Sequence, residues 1–184
     1  EKYFNKHLWE YDDGTPQGFA TNSGKVELAS SLLEAHGGDR LPTPLKRPHV
    51  LSDELILITG ARIQPYYASS YFENPSFRDV HPAPTATFSE KTAEKLGIKS
   101  GEAVLVTTDA GEARFEANIA PMAENTVSVE YGWWYPEESK GLPSLSGAFV
   151  SNPNMMITAP IEKFKGSVGS WSYNALTCRI RKCE

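Results

Sequence analysis

The run Ser89-Glu90-Lys91-Thr92-Ala93-Glu94-Lys95-Leu96-Gly97-Ile98-Lys99-Ser100-Gly101-Glu102-Ala103-Val104 decides the fold. A serine at a helix start accepts one of the amide protons that the first turn leaves unpaired, and Glu90 stands where the helix dipole favours negative charge. Gly97 falls where a left-handed residue closes a helix. The turn from Ile98 to Glu102 then delivers the chain directly into the strand-like run Ala103–Thr108. The segment therefore reads as a short capped helix feeding a strand, with no room for a long helical layer.

Working outward, the same short-strand rhythm continues. Leu55–Thr59 is a continuous apolar run, which predicts a strand buried on both faces. Thr85–Phe88 is a second, brief strand. Ala103–Thr108 and Glu112–Ile119 flank Asp109-Ala110-Gly111 and read as a hairpin. Thr126–Tyr131 is another β-branched, alternating run. Leu176–Arg181 gives the last strand, with Leu176, Cys178 and Ile180 on one face and Thr177, Arg179 and Arg181 on the other. Periodicity thus predicts a closed, mostly β architecture with small helices over residues 51–184. There are no internal repeats and no low-complexity segment.

Residues 1–50 read as an irregular arm, distinct from the strand-rich remainder. Their start is polar with scattered aromatics, Trp9-Glu10-Tyr11-Asp12-Asp13-Gly14. Ser30-Ser31-Leu32-Leu33-Glu34-Ala35 predicts a short helix closed by Gly37-Gly38, and Pro42, Pro44 and Pro48 enforce an extended connector. Gly24-Lys25 is not a phosphate loop, because Val26 stands where the Walker pattern requires a hydroxyl.

The totals exclude several function classes. A length of 184 residues supports one core, and 40% hydrophobic with 22% charged residues is the make-up of a globular protein. A net charge of -5 provides no basic face for nucleic acid, and no apolar run approaches the length of a membrane span. No signal-peptide pattern is visible. If the last strand runs on to Cys183, that residue and Cys178, five apart, point to opposite faces and do not pair. Two cysteines make neither a zinc site nor a disulfide framework. They read as a buried thiol and a tail thiol in a reducing compartment. His7, His36, His49 and His81 lie far apart, with no pair at metal-ligand spacing, and no Gly-x-Ser-x-Gly elbow marks a nucleophile.

Four segments, in order and at their spacing, carry a family resemblance. They are Leu55-Ile56-Leu57-Ile58-Thr59-Gly60-Ala61-Arg62, Tyr66-Tyr67-Ala68-Ser69-Ser70-Tyr71, the block Ser89–Val104, and Tyr131-Gly132-Trp133-Trp134-Tyr135-Pro136-Glu137. Together they resemble the C-terminal molybdopterin-dinucleotide-binding domain of the dimethyl sulfoxide reductase family of molybdenum and tungsten oxidoreductases. The Gly-Trp-Trp-aromatic-Pro-Glu run is most similar to the acetylene-hydratase-like branch. The segment Gly18–Leu28, with its Ser-Gly-Lys-aliphatic-Glu pattern, resembles the stretch before that domain. The resemblance implies a double-psi β-barrel, in which a capped helix also leads directly into a strand. It further implies that the chain is a module of a larger parent enzyme, an oxidoreductase or hydratase, and is inactive alone.

By the same resemblance the module holds molybdopterin guanine dinucleotide, in the bis form, for a molybdenum or tungsten centre ligated elsewhere in the parent. Its partners would be the remaining domains and an iron–sulfur electron-transfer subunit. Location would be cytoplasmic, or periplasmic if the parent carries an upstream signal. Thr59, Gly60, Ala61 and Arg62 would contact the dinucleotide: glycine lets backbone approach closely, while a threonine hydroxyl and an arginine fork donate to phosphate oxygens. Ala68, Ser69 and Ser70 follow, with Ala68 where the family usually has histidine. Any cofactor contact of that histidine would pass to backbone amides or serine hydroxyls. Asn154, in Asn152-Pro153-Asn154-Met155-Met156, would read a heterocycle edge with its donor and acceptor pair. Tyr173 and Asn174 complete the implied set. No catalytic and no metal-ligating residue is expected. Trp133-Trp134-Tyr135 reads as core or as an interface with a neighbouring domain, in preference to the lining of a substrate channel. A barrel of this type could instead be a free-standing adaptor that binds a protein or peptide, which would need neither Thr-Gly-x-Arg nor Asn-x-Asn.

Overall fold

A computed structural model describes residues 13–14, 18–41, 49–157 and 174–183. The chain divides into two units, Glu1–Lys46 with Pro160–Ser170, and Arg47–Ala159 with Trp171–Glu184.

In the first unit the expected helix forms as α1, Ser31–Ala35. The Ser30 hydroxyl accepts from the Leu33 amide, and the Gly38 amide returns to the Leu33 carbonyl. Gly37 supplies the left-handed φ of 79° that this closure needs. The Ser-Gly-Lys segment bonds to itself, with the Phe19 amide on the Gly24 carbonyl and Thr21 Oγ1 donating to the Lys25 carbonyl at 2.7 Å.

In the second unit six strands close on themselves as the expected double-psi β-barrel. In chain order they are β1 (Leu55–Ala61), β2 (Thr85–Phe88), β3 (Ala103–Thr108), β4 (Gly111–Ile119), β5 (Thr126–Glu130) and β6 (Asn174–Lys182). Round the barrel the order is β1-β5-β2-β4-β3-β6. The pairs β1/β5 and β2/β4 are parallel, and the other four ladders are antiparallel. Two helices accompany them, α2 (Pro75–Val80) and α3 (Glu90–Leu96), with a 3-10 turn at Pro153–Met156.

The capped segment forms as the sequence predicts. Ser89 accepts from the Thr92 amide, Gly97 sits at φ 64°, and its amide and that of Ile98 close α3 on Glu94 and Ala93. The hairpin is tighter than predicted. Thr108 pairs with Gly111, so only Asp109 and Ala110 form the loop. Gly111 is needed there, because a Cβ would lie 2.6 Å from the Met155 carbonyl oxygen.

The reading of β1 as buried on both faces is corrected. Leu55 and Leu57 are buried, whereas Ile58 on the opposite face is 37% exposed. The strand is paired along both edges, but a barrel wall has one interior face, and continuous hydrophobicity cannot distinguish the two. Helix α2 is not among the predicted elements although its signal is plain: the Asn74 side chain caps the Ser76 amide, and Pro75 occupies the first turn.

The interior of the barrel is one aliphatic and aromatic core that includes Leu57, Phe88, Val104, Val106, Val127, Val129 and Cys178. A second cluster, Tyr66, Phe72 and Trp133, is packed by Ile63, Phe77, Trp134 and Tyr135. As expected, Cys178 faces the core and Leu176 and Ile180 pack with it. Cys183 lies just past the end of β6, partly exposed, and both thiols are free. Burial pushes the Cys178 thiol up to about 12. An acid whose folded pKa is raised lends stability that is full below its unfolded value near 9.0 and is lost as pH rises toward about 12. At pH 8 a thiol-alkylating reagent should therefore label Cys183 in native protein and Cys178 only after denaturation, as read by peptide mapping. Equal native labelling of both would contradict this packing.

Candidate functional site

The site begins where β1 leaves the barrel. Thr59 is in register with Val129, the register then shifts at a bulge, and Ala61 pairs with Glu130. Gly60 is the residue left over in the bulge, at φ 92°, and a Cβ built there meets nothing within 4 Å. The main chain is thus open to a ligand on that side. Arg62 follows, exposed, and makes no ion pair among the described residues.

Strand direction places the other candidates at the same end of the barrel. Because β5 is parallel to β1, its carboxyl end at Glu130 and the Tyr131–Trp134 run beyond it lie beside Ala61. Both β1 and β3 are antiparallel to β6, so the β3–β4 hairpin also points that way, and Asn174 at the start of β6 is in register with Ile58. The 3-10 turn docks on that hairpin, with Thr108 Oγ1 donating to the Met156 carbonyl at 2.8 Å. It carries Asn154, whose amide bonds the Asn152 side chain at 3.0 Å and whose own side chain is exposed. Tyr173 lies outside the described residues.

Between β1 and α2 the chain folds over the second aromatic cluster. Tyr66 turns inward, edge-on to Trp133 at 5.4 Å, and its hydroxyl donates to the His81 carbonyl at 2.7 Å. Tyr67 to Ser70 then form a tight turn, with the Ser70 amide on the Tyr67 carbonyl at 3.0 Å. Ala68 and Tyr71 take φ of 50° and 75°, which costs free energy in residues with a side chain. Ala68, Ser69 and Ser70 are all exposed.

Charged groups brace this rim from behind. Glu130 is buried, yet it accepts from the Thr85 amide at 2.6 Å and the Thr85 hydroxyl at 2.8 Å, and it bonds His81 Nε2 at 3.1 Å. A carboxylate removed from water needs partners of this kind. Arg78 bonds Glu137 at 2.9 Å with its guanidinium 5.6 Å from the Trp133 ring centre. Arg78 Nη1 and Trp133 Nε1 are buried donors without an acceptor among the described residues. The Gly132-Trp133-Trp134 run is thus core at Trp133, as the sequence reading preferred. Its tie to the turn, Trp134 Nε1 donating to the Ser69 carbonyl at 2.8 Å, was not foreseen. The exposed rim offers donors for an anion. Among the described residues no three His, Cys, Asp or Glu side chains are grouped to hold a metal, and no helix is long and apolar enough to cross a membrane.

Residues 55–180 match the family model of the Molydopterin dinucleotide binding domain. Acetylene hydratase of Syntrophotalea acetylenica is 35% identical over 151 residues, which cover 77% of this chain and 21% of that protein. Dopamine dehydroxylase of Eggerthella lenta is 33% identical over 132 residues, covering 65% of this chain and 13% of the relative. The solved structure of acetylene hydratase from Pelobacter acetylenicus superposes with a TM-score of 0.85 at 30% identity, over 96% of this chain and 26% of that one. The chain therefore spans about a quarter or less of the length of these relatives. It belongs to the molybdopterin dinucleotide-binding domain family, and the alternative of a protein-binding adaptor barrel finds no support in these matches.

Proposed function

We propose that this member of the family holds bis(molybdopterin guanine dinucleotide) from one side, with the metal, molybdenum or tungsten, ligated elsewhere in a parent oxidoreductase or hydratase. Residues 51–184 would be the holding domain and residues 1–50 an arm from the preceding domain. An iron–sulfur subunit would be the electron partner, in a cytoplasmic enzyme. In this reading Thr59 to Arg62 and Ser69 face the phosphates, while Asn154, with Tyr173 and Asn174, reads a heterocycle.

The observation that carries the reading is the bulge at Gly60, where open main chain stands beside the exposed Arg62, which makes no ion pair among the described residues. Its donor set suits a pyrophosphate: backbone at close range, a guanidinium fork, and serine hydroxyls on the neighbouring turn. When bound, the cofactor supplies the metal and its dithiolene ligands, on which the redox or hydration chemistry takes place. The contribution of this chain is to bind and orient the dinucleotide, by means of Arg62 at the rim and the braced Glu130–Thr85–His81 group behind it.

The experiment is nucleotide analysis of the purified parent enzyme. Hydrolysis of its pterin fraction should release guanosine monophosphate, two per metal atom. Release of cytidine monophosphate, or of no nucleotide, would overturn the assignment of the guanine dinucleotide.

A further inference from the structure

We propose that Gly132 and Trp134 are positioning residues that hold the Tyr67–Ser70 turn so that Ser69 presents its hydroxyl and backbone amide to the phosphates of the bound dinucleotide. This rests on the reading above, and it assigns a task to residues that the reading leaves as scaffold.

Two independent contacts converge on Ser69. A Cβ at Gly132 would lie 2.6 Å from Ser69 Oγ, so a side chain there forces that hydroxyl out of its position, and 3.5 Å from the Ser69 amide nitrogen, an ordinary contact. Trp134 grips the other end of the same residue through the indole bond to its carbonyl. The turn needs such a grip, since Ala68 and Tyr71 hold left-handed φ values that surrounding structure must impose. With the carbonyl engaged, the Ser69 amide and hydroxyl remain outside every hydrogen bond among the described residues. Gly132 lies two residues beyond Glu130, which pairs with Ala61. The clamp therefore joins the turn to the rim that carries Gly60 and Arg62.

The test uses the parent holoenzyme with Ser69→Ala, Gly132→Ala and both together. The rate of cofactor loss is followed on dilution. Gly132→Ala should accelerate loss roughly tenfold, and Ser69→Ala roughly three- to tenfold. In the Ser69→Ala background, where the hydroxyl clash is gone, adding Gly132→Ala should change the rate less than about threefold. Equal effects of Gly132→Ala in both backgrounds would mean that backbone strain at its φ of 82° is the whole cause, which overturns the proposal. Trp134→Phe keeps the ring and removes the donor. In cofactor-free protein it should speed hydrogen exchange across residues 66–71, and in holoenzyme it should speed cofactor loss. Faster exchange with unchanged retention would show a clamp that does not serve the cofactor, and the proposal would fall. If Arg62→Ala still released cofactor in that case, the cofactor-holding reading would stand without Ser69.

Discussion

Arg62→Ala in the parent enzyme should weaken cofactor retention roughly tenfold or more while leaving the barrel's thermal unfolding in place. The size follows from a charge-assisted hydrogen bond, about 1.5–3 kcal/mol, with each 1.4 kcal/mol worth about tenfold in affinity. The sparing of the fold follows from the structure: Arg62 is exposed and holds no ion pair among the described residues, so its removal leaves no buried partner stranded. Arg62→Lys should retain less than the native enzyme and more than alanine, because a lysine keeps the charge and loses the fork. Arg181→Ala on β6 is the control. Arg181 pairs with Glu112 on the exposed outer face, where such pairs contribute little. Metal and pterin content after gel filtration is the readout. Normal retention in Arg62→Ala, or equal loss in Arg181→Ala, would remove Arg62 from the site.

Most of the barrel is legible in the sequence because its signals are local. The cap at Ser89, the closure at Gly97, the hairpin around Asp109 and the alternation of β6 each depend on a few neighbouring residues. Five strand ends are displaced by one or two residues, at Ala61, Gly111, Glu130, Asn174 and Lys182, where pairing stops or starts for reasons set by the partner strand. Closure itself is not local. Nothing in Leu55–Ala61 announces a parallel partner 70 residues away, and the same blindness made β1 look buried on both faces.

The site was legible only as a set of segments. Strand direction brings Thr59–Arg62, Asn154 and Asn174 to one end, which the family resemblance implied and spacing could not. The braces were harder to see. Glu130 reads as an ordinary strand-end acid, and only tertiary contact shows it holding Thr85 and His81. Gly132 offered a signal in retrospect, a glycine between a strand and two tryptophans. Its φ of 82° favours glycine by itself, and the close approach that only tertiary contact shows is to Ser69, more than sixty residues earlier.

The largest loss of stability outside the barrel core should come from Trp133→Ala, and it should be local. Trp133 is 2% exposed and contacts Phe72 at 4.5 Å, Tyr66 at 5.4 Å, His81 at 5.9 Å and Tyr135 at 6.3 Å, ring centre to ring centre. Truncating a buried aromatic of this size costs about 3–5 kcal/mol, because the cavity collapses only in part. The second cluster is distinct from the barrel core, and its members come from the two segments that frame the rim, 63–77 and 133–135. The cost should therefore appear as opening of those segments. Hydrogen exchange should lose protection from Tyr66 to His81 and around Tyr135, while β3, β4 and β6 keep theirs. Phe88→Ala makes the comparison: it empties the barrel core by a similar amount and should lower protection throughout. At matched loss of stability, Trp133→Ala should release cofactor faster than Phe88→Ala, because the Ser69 turn rests on the cluster it dissolves. Trp133→Phe, which keeps an aromatic ring in place, should cost less than Trp133→Ala in both respects. Uniform loss of protection in Trp133→Ala, indistinguishable from Phe88→Ala, would show that the rim and the barrel unfold as one unit, and the separate cluster would then have no energetic meaning.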